Sequence, residues 1–382
     1  MRVNTCSTFA TFRAIRLGRT VLENLQLRAK ISVVAINVLL TLVLLEVGLR
    51  VQQYFGPFYD LSVNHEALSV GLSELLNHVP LPSPEVQPDG IRVLGKPNAE
   101  GCGPKLLFMG DSFMEGLGPV DNIPYTVRSY FQQSLHRELC VFNAGYTSYS
   151  PSVYVPQAKK LIPLVKPDYV IIDVDETDLW DDAYRYRPLV VRDDAGSIVA
   201  VRPTPLALWF YDGLVKSTDK PLYIQRLASK LYFTKIEFPK LYDKYWAGKP
   251  NDNVWLSRLP EAEARRAYGA DIAYFATTLD DLTQTVVSRM GTPDALIYIH
   301  HPHLPHLGVA GVAYNNIVSD TVREVASRHH VRFYDATDDL RAEFGTEPQK
   351  YYIPHDVHFN ADGQRAYGVA VAKYLAMALG HS

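Results

Sequence analysis

The chain has 382 residues, 47% hydrophobic and 21% charged, a globular composition long enough for two ordinary domains and a sizeable core. Lys and Arg number 38 against 41 Asp and Glu, a net charge of −3, which argues against a basic nucleic-acid surface. The three cysteines, Cys6, Cys102 and Cys140, form no CxxC pair, which argues against a structural zinc site and a disulfide-stapled scaffold.

Residues 31–45 read ISVVAINVLLTLVLL, an uncharged run followed by Glu46. With Val47, Gly48 and Leu49 it approaches the ~20 residues that span a bilayer. No small-x-small cleavage site follows directly, so an uncleaved transmembrane anchor over 31–51 is expected rather than a removed signal. The preceding arm, 1–30, carries Arg2, Arg13, Arg16, Arg19, Arg28 and Lys30 against the single acid Glu23. That bias keeps the arm cytoplasmic and sends the rest across. The expected location is therefore a single-pass bacterial inner-membrane protein with its C-terminal domain in the periplasm or outside the cell. There a Cys102–Cys140 disulfide is permitted, with two free buried thiols the alternative.

Residues 52–103, rich in Pro, Gly and Asn, read as a linker that wraps onto the edge of a domain spanning 104–382. From Lys105 onward the pattern alternates. Short apolar runs at 105–110, 139–145, 168–175, 294–302 and 331–337 suit buried strands. Helical periodicity covers 124–138, 155–162, 261–290, 313–328 and 360–379, with Pro156 in the first turn of the second helix and Pro163 stopping it. Such alternation implies an α/β fold with a parallel sheet and helices on both faces, its function gathered at the carboxyl ends of the strands. Residues 183–258 break the rhythm and carry Trp209, Phe210, Tyr211, Tyr223, Tyr232, Tyr242, Tyr245, Trp246 and Trp255. This is an insertion expected to pack over the sheet. Its aromatics either line a glycan or acyl groove or fill a small core of their own.

Four segments carry the polar residues: Gly110-Asp111-Ser112-Phe113, Asn143-Ala144-Gly145, Asp175-Glu176-Thr177-Asp178, and Pro354-His355-Asp356-Val357-His358-Phe359-Asn360. A serine directly after a buried strand can sit exposed at a helix N-terminus, or act as a plain N-cap. A serine nucleophile needs a base in hydrogen-bond reach, and that base needs an orienting carboxylate. Asp356 and His358, two apart on a loop, can point to one side and supply both. Ser112 does not lie in the GxSxG elbow of α/β-hydrolases.

Gly-Asp-Ser early, Asn-x-Gly between and Asp-x-His late resemble the SGNH or GDSL hydrolase family over roughly 105–182 and 290–380. The resemblance implies a flavodoxin-like three-layer α/β/α sandwich and ester hydrolysis. It assigns Ser112 as nucleophile, His358 and Asp356 as its partners, and the backbone of Ser112 and Gly145 as oxyanion donors. Two departures stand out. Thr177 occupies the place where the family usually offers an Asn side chain to the oxyanion, its hydroxyl being expected to substitute as a third donor, and the last block is Asp-x-His rather than Asp-x-x-His. Asp111, Asn143, Asp178 and His301, at the strand ends, are expected to contact substrate.

His300, His301, His303 and His306 form a cluster broken by prolines, read as a loop bordering the site rather than a metal centre. The acidic run from Asp173 to Asp182 reads as a polar strand end and helix start. No P-loop or dinucleotide pattern occurs, and neither metal nor organic cofactor is expected. The reading is a membrane-anchored serine esterase acting through an acyl-serine on an ester, an O-acetylated envelope polysaccharide being one candidate. The alternatives are an O-acyltransferase using the same triad and an inactive glycan-binding or assembly protein.

Overall fold

The structure is a computed structural model that describes residues 8–55, 70–80, 86–87, 90–94, 103–203, 222–225, 227, 254–308 and 314–380. It divides into two units, 1–64 with 212–238, and 65–211 with 239–382. In the first unit, helix α1 (Thr8–Phe55) contains Arg28–Gln52, a stretch of mean hydropathy 2.3 that is long and apolar enough for a membrane span or a signal sequence. Its large apolar side chains from Ile31 to Val51 are mostly exposed. Glu46 and Arg50 pair one turn apart at 2.8 Å. Ile224 N–H donates to Glu46, and Arg50 lies over the Tyr223 ring, so this part of the aromatic stretch packs on the helix.

In the second unit, β1 (Val70–Ser73) and β2 (Asn77–Pro80) form an antiparallel hairpin. The main sheet holds β3 (Arg92–Leu94), β4 (Lys105–Met109), β5 (Cys140–Asn143), β6 (Tyr169–Asp173), β9 (Leu296–His300) and β10 (Arg332–Asp335) in the order β10-β9-β6-β4-β5-β3. A smaller hairpin joins β7 (Val190–Arg192) to β8 (Ile198–Val201). All main-sheet pairings are parallel except β3 with β5. Counting only the parallel strands, the order is that of flavodoxin-like proteins, and the topological switch point falls between β4 and β6. β3, from the expected linker, pairs with the sheet edge. Cys140, at the start of β5, is disulfide-bonded, and Cys102 lies outside the described residues.

The strands are apolar on both faces because helices cover both. Leu107, Met109, Val170, Ile172 and Tyr298 point into one core, against α4 (Pro151–Val165), α6 (Glu261–Met290) and α7 (Ile317–Arg328). Leu106, Phe108, Ile171, Ile297 and Ile299 point into the other, against α3 (Ile123–Ser134), α8 (Thr337–Phe344) and α9 (Ala361–Leu379). The period-two alternation places adjacent residues of one strand in different cores. The three-layer α/β/α architecture expected from the sequence is the observed one.

Helix α4 departs from its expected bounds. It starts at Pro151, keeps Pro156 and Pro163 inside, and ends at Val165 before the left-handed Lys166. Each proline removes one helical hydrogen bond. The helix persists because most of its residues are buried, and tertiary packing outweighs the loss. Trp255 is buried in the main core beside Tyr184 and Tyr268. The other expected insertion aromatics, Trp209, Phe210, Tyr211, Tyr232, Tyr242, Tyr245 and Trp246, lie outside the described residues.

Asp182 gives this fold a defined pH response. Burial is the main cause pushing its carboxyl up to about 6, against bonds from Ser150 Oγ (2.5 Å) and Ser152 N–H (2.8 Å) that oppose the rise. Between its ordinary 3.8 and about 6, the folded state holds more protons than the unfolded state. This group's contribution to stability is therefore full below 3.8 and is lost as pH rises through 6, by roughly 3 kcal/mol in total. Asp182→Asn keeps the acceptor for both serines. Denaturant titrations at pH 4, 5, 6 and 7 are expected to show that this variant gains on wild type as pH rises. A constant difference would contradict the assignment.

Candidate active site

The turn after β4 is built by steric necessity. A Cβ on Gly110 would lie 2.7 Å from Met114 Cβ, and one on Gly116 (φ +78°) would lie 2.4 Å from Asn122 Cβ. Glycine at both ends lets the short helix α2 (Ser112–Glu115) fold tightly against the sheet. Asp111 caps it, accepting from Phe113 N–H at 2.8 Å. Asn143 Nδ2 donates to Met114 O at 2.9 Å, and Gln364 Nε2 donates to Phe113 O at 3.3 Å. These bonds fix the turn that presents half-buried Ser112.

The last-block loop is equally determined. Tyr352 bridges Phe359, Ile353 N–H donates to His358 O, and Asp356 N–H donates to Ile353 O. His355 takes a left-handed φ of +64° to close the loop. Asn360 then caps α9, accepting from the N–H groups of Asp362 and Gly363. The outcome is a continuous chain. Ser112 Oγ lies 2.7 Å from His358 Nε2, and His358 Nδ1 lies 2.5 Å from Asp356 Oδ1. The same oxygen accepts His358 N–H at 3.1 Å. Burial is the largest single influence and raises the Asp356 carboxyl, but the backbone and ring bonds of His358 together outweigh it and hold the group below its ordinary value. The Phe113 ring, 4.8 Å from the His358 ring, supports the imidazole from below.

Ser112 and His358 line a cavity of about 340 Å³ with Asp111, Phe113, Thr147, Ser148, Thr177, Trp180, Asp181, Arg185 and Val357. Several expected roles do not fit the geometry. Gly145 N–H donates to Asn143 Oδ1 at 2.9 Å and is taken. Glycine is needed there because a Cβ would come within 2.6 Å of Met114 Cβ. The Thr177 hydroxyl donates to Asp175 Oδ1 at 2.7 Å and has no second proton to give an oxyanion. Asn143, Asp178 and His301 are buried beneath the site and do not line the cavity. Asp178 belongs to the capping box of α5 (Glu176–Trp180). Asp111 does line the wall. Burial, with Asp175 and Asp173 nearby, raises its carboxyl well above the ordinary range, so it is a poor competitor for the role of base.

The sequence reading missed Ser148. It holds a left-handed φ of +58° on the cavity wall, and neither its N–H nor that of Ser112 has an acceptor among the described residues. The only sequence signal was its place in a polar turn just past a strand end. Trp180 and Arg185 were also missed. Trp180 ends α5, and Arg185 lies in the π-helical turn Asp181–Tyr186 that follows, where it pairs with Asp181 at 3.0 Å.

No family model and no curated protein matches the chain. Among solved structures, it is similar to an acetylxylan esterase catalytic mutant from Geobacillus stearothermophilus, at 14% identity and TM-score 0.41, covering 72% of this chain and 94% of that one. It is similar to a lipase/acylhydrolase from Enterococcus faecalis at 14% identity and TM-score 0.39, covering 72% and 95%. It is similar to a two-domain esterase active on acetylated mannans at 13% identity and TM-score 0.40, covering 73% of this chain and spanning 50% of the length of that one.

Proposed function

We propose that the protein is a serine esterase of SGNH type, held to a membrane by the helix around 31–51. The observation that carries this reading is the unbroken Ser112–His358–Asp356 chain opening into a cavity at the switch point of the sheet. His358 Nε2 takes the Ser112 proton as Oγ attacks the ester carbonyl, and Asp356 holds the imidazole and offsets its charge. The N–H groups of Ser112 and Ser148 receive the oxyanion, in place of Gly145 and Thr177. His358 then passes the proton to the leaving alcohol, and water, activated by the same imidazole, releases the acid from acyl-Ser112.

The described cavity, about 340 Å³, has room for an acetyl-sized group beside Ser112. Trp180 on its wall offers a face for a sugar ring. An O-acetylated polysaccharide outside the cytoplasm fits both features and the basic arm before the apolar helix.

The test uses the full chain in detergent. Wild type is expected to hydrolyse p-nitrophenyl acetate and react with a fluorophosphonate probe, while Ser112→Ala does neither. Equal rates for the two would overturn the reading. Adding a sugar-alcohol acceptor and measuring ester formation separates transfer from hydrolysis. Ser148→Gly, which keeps the N–H and relieves the left-handed strain, is expected to retain wild-type kcat/KM and melting temperature. A large loss of kcat there would show that the Ser148 side chain is needed.

A further inference from the structure

Beneath the nucleophile turn, the carboxyl ends of β6 and β9 bring together Asp173, Asp175, His301 and His303, each no more than 2% exposed. Asp175 Oδ2 lies 2.7 Å from His303 Nε2 and 3.6 Å from His301 Nε2. A donor atom from each of Asp175, His301 and His303 falls within 4.8 Å of the others. The opposite nitrogen of His301, Nδ1, faces the Asp173 carboxylate at 3.2 Å, and Asp173 also accepts from Tyr367 OH at 2.9 Å. The second oxygen of Asp175 is held by Thr177 N–H and Oγ1.

His301 spends Nδ1 on Asp173, which leaves Nε2 facing the Asp175 carboxylate at 3.6 Å, buried and with no hydrogen-bond partner. The rings of Phe113, Phe359 and Tyr367 surround it at 4.1, 5.4 and 5.2 Å, so no water-like medium screens the pair.

We infer that Asp175, His301 and His303 form a binding site for a divalent cation of the zinc class. Bonds of ~2.0–2.2 Å to a tetrahedral ion separate its ligand atoms by roughly 3.3 Å, a spacing bracketed by the observed 2.7 and 3.6 Å. Imidazole with carboxylate suits zinc better than calcium or magnesium. A carboxylate on the far nitrogen of a ligating histidine is the usual support of such sites, and Asp173 supplies it. The lack of a CxxC pair argued against a structural zinc site, but here histidine and aspartate provide the donors. Three protein ligands leave one position for a water. The ion touches no substrate. It ties the end of β6 to the end of β9 under Phe113, whose ring rests on both His301 and His358. The inference does not depend on the esterase reading.

The test measures metal by mass spectrometry in the full chain, purified in detergent without chelator and then equilibrated with zinc. About one ion per chain is expected, retained by Ser112→Ala and lost by His303→Asn. Removal by a strong chelator is expected to lower the melting temperature, and zinc to restore it. Cobalt in place of zinc is expected to give visible absorption bands of four-coordinate geometry, a readout that needs no variant to fold. A chain that stays metal-free after equilibration, with a melting temperature indifferent to zinc and chelator, would overturn the site. So would full metal content in a folded His303→Asn variant. If Ser112→Ala keeps the metal while wild type hydrolyses no ester, the function fails and the site stands.

Discussion

Replacing His358 by alanine is expected to lower kcat/KM for an activated acetyl ester by about 10³–10⁶-fold with the fold intact. The expectation rests on the absence of a substitute base among the described residues. His358 Nε2 is 2.7 Å from Ser112 Oγ, whereas the nearest carboxyl oxygen, Asp111 Oδ2, is 3.4 Å away. Burial among other acids keeps Asp111 protonated far above the usual range, so it cannot take over. His358 itself is a half-buried loop residue, and losing its ring removes little of the core. Asp356→Asn should cost less, about 10²–10³-fold, because the carboxylate is 44% exposed and solvent shares the task of offsetting the imidazolium. Steady-state kinetics with circular dichroism on both variants checks this. A His358→Ala enzyme within tenfold of wild type would remove the triad from the mechanism.

Gly145→Ala is the second large effect, and it acts on the fold. The new Cβ would sit 2.6 Å from Met114 Cβ and 2.9 Å from the Glu115 backbone nitrogen. The nitrogen cannot swing aside, because α2 is pinned by Asn143 and Gln364. The turn carrying Ser112 must move or the protein must unfold. A cost of about 3 kcal/mol or more is expected, a melting temperature lower by roughly 10 °C. Gly118→Ala is the control, since a Cβ there meets nothing within 4 Å. If Gly145 mattered only through its backbone N–H, alanine would retain stability and activity. A melting temperature equal to that of Gly118→Ala would sink the steric account.

Most of the sheet was legible because each parallel strand is an apolar run bounded by a turn. Leu106 to Met109 and Val170 to Ile172 are buried on both faces, and no other element tolerates that pattern at that length. The meeting of Ser112, Asp356 and His358 was legible because the proposed nucleophile, base and orienting acid need particular side chains at strand ends and loops. The second of the proposed oxyanion donors was not. An N–H belongs to every non-proline residue, so no side-chain signal favours Ser148 over Gly145. Only the Asn143 side chain, which occupies one and leaves the other, separates them. The histidines after β9 looked like loop residues because His-Pro-His reads as a broken surface turn. They are buried because the acids after β6 meet them there.

By itself, the sequence determined local matters: which segments are strands, which apolar helix is long enough for a membrane, and which side chains have the chemistry of the proposed nucleophile and base. These follow from periodicity and side-chain chemistry, which are read within a few residues of one another. The tertiary structure alone decided what depends on distance across the chain. Ser112 and His358 are separated by 246 positions yet lie within hydrogen-bond distance. Asp175 and His303 are separated by 128 yet are buried side by side. The parallel sheet returns every strand's carboxyl end to the same rim, and that closure converts scattered residues into a site.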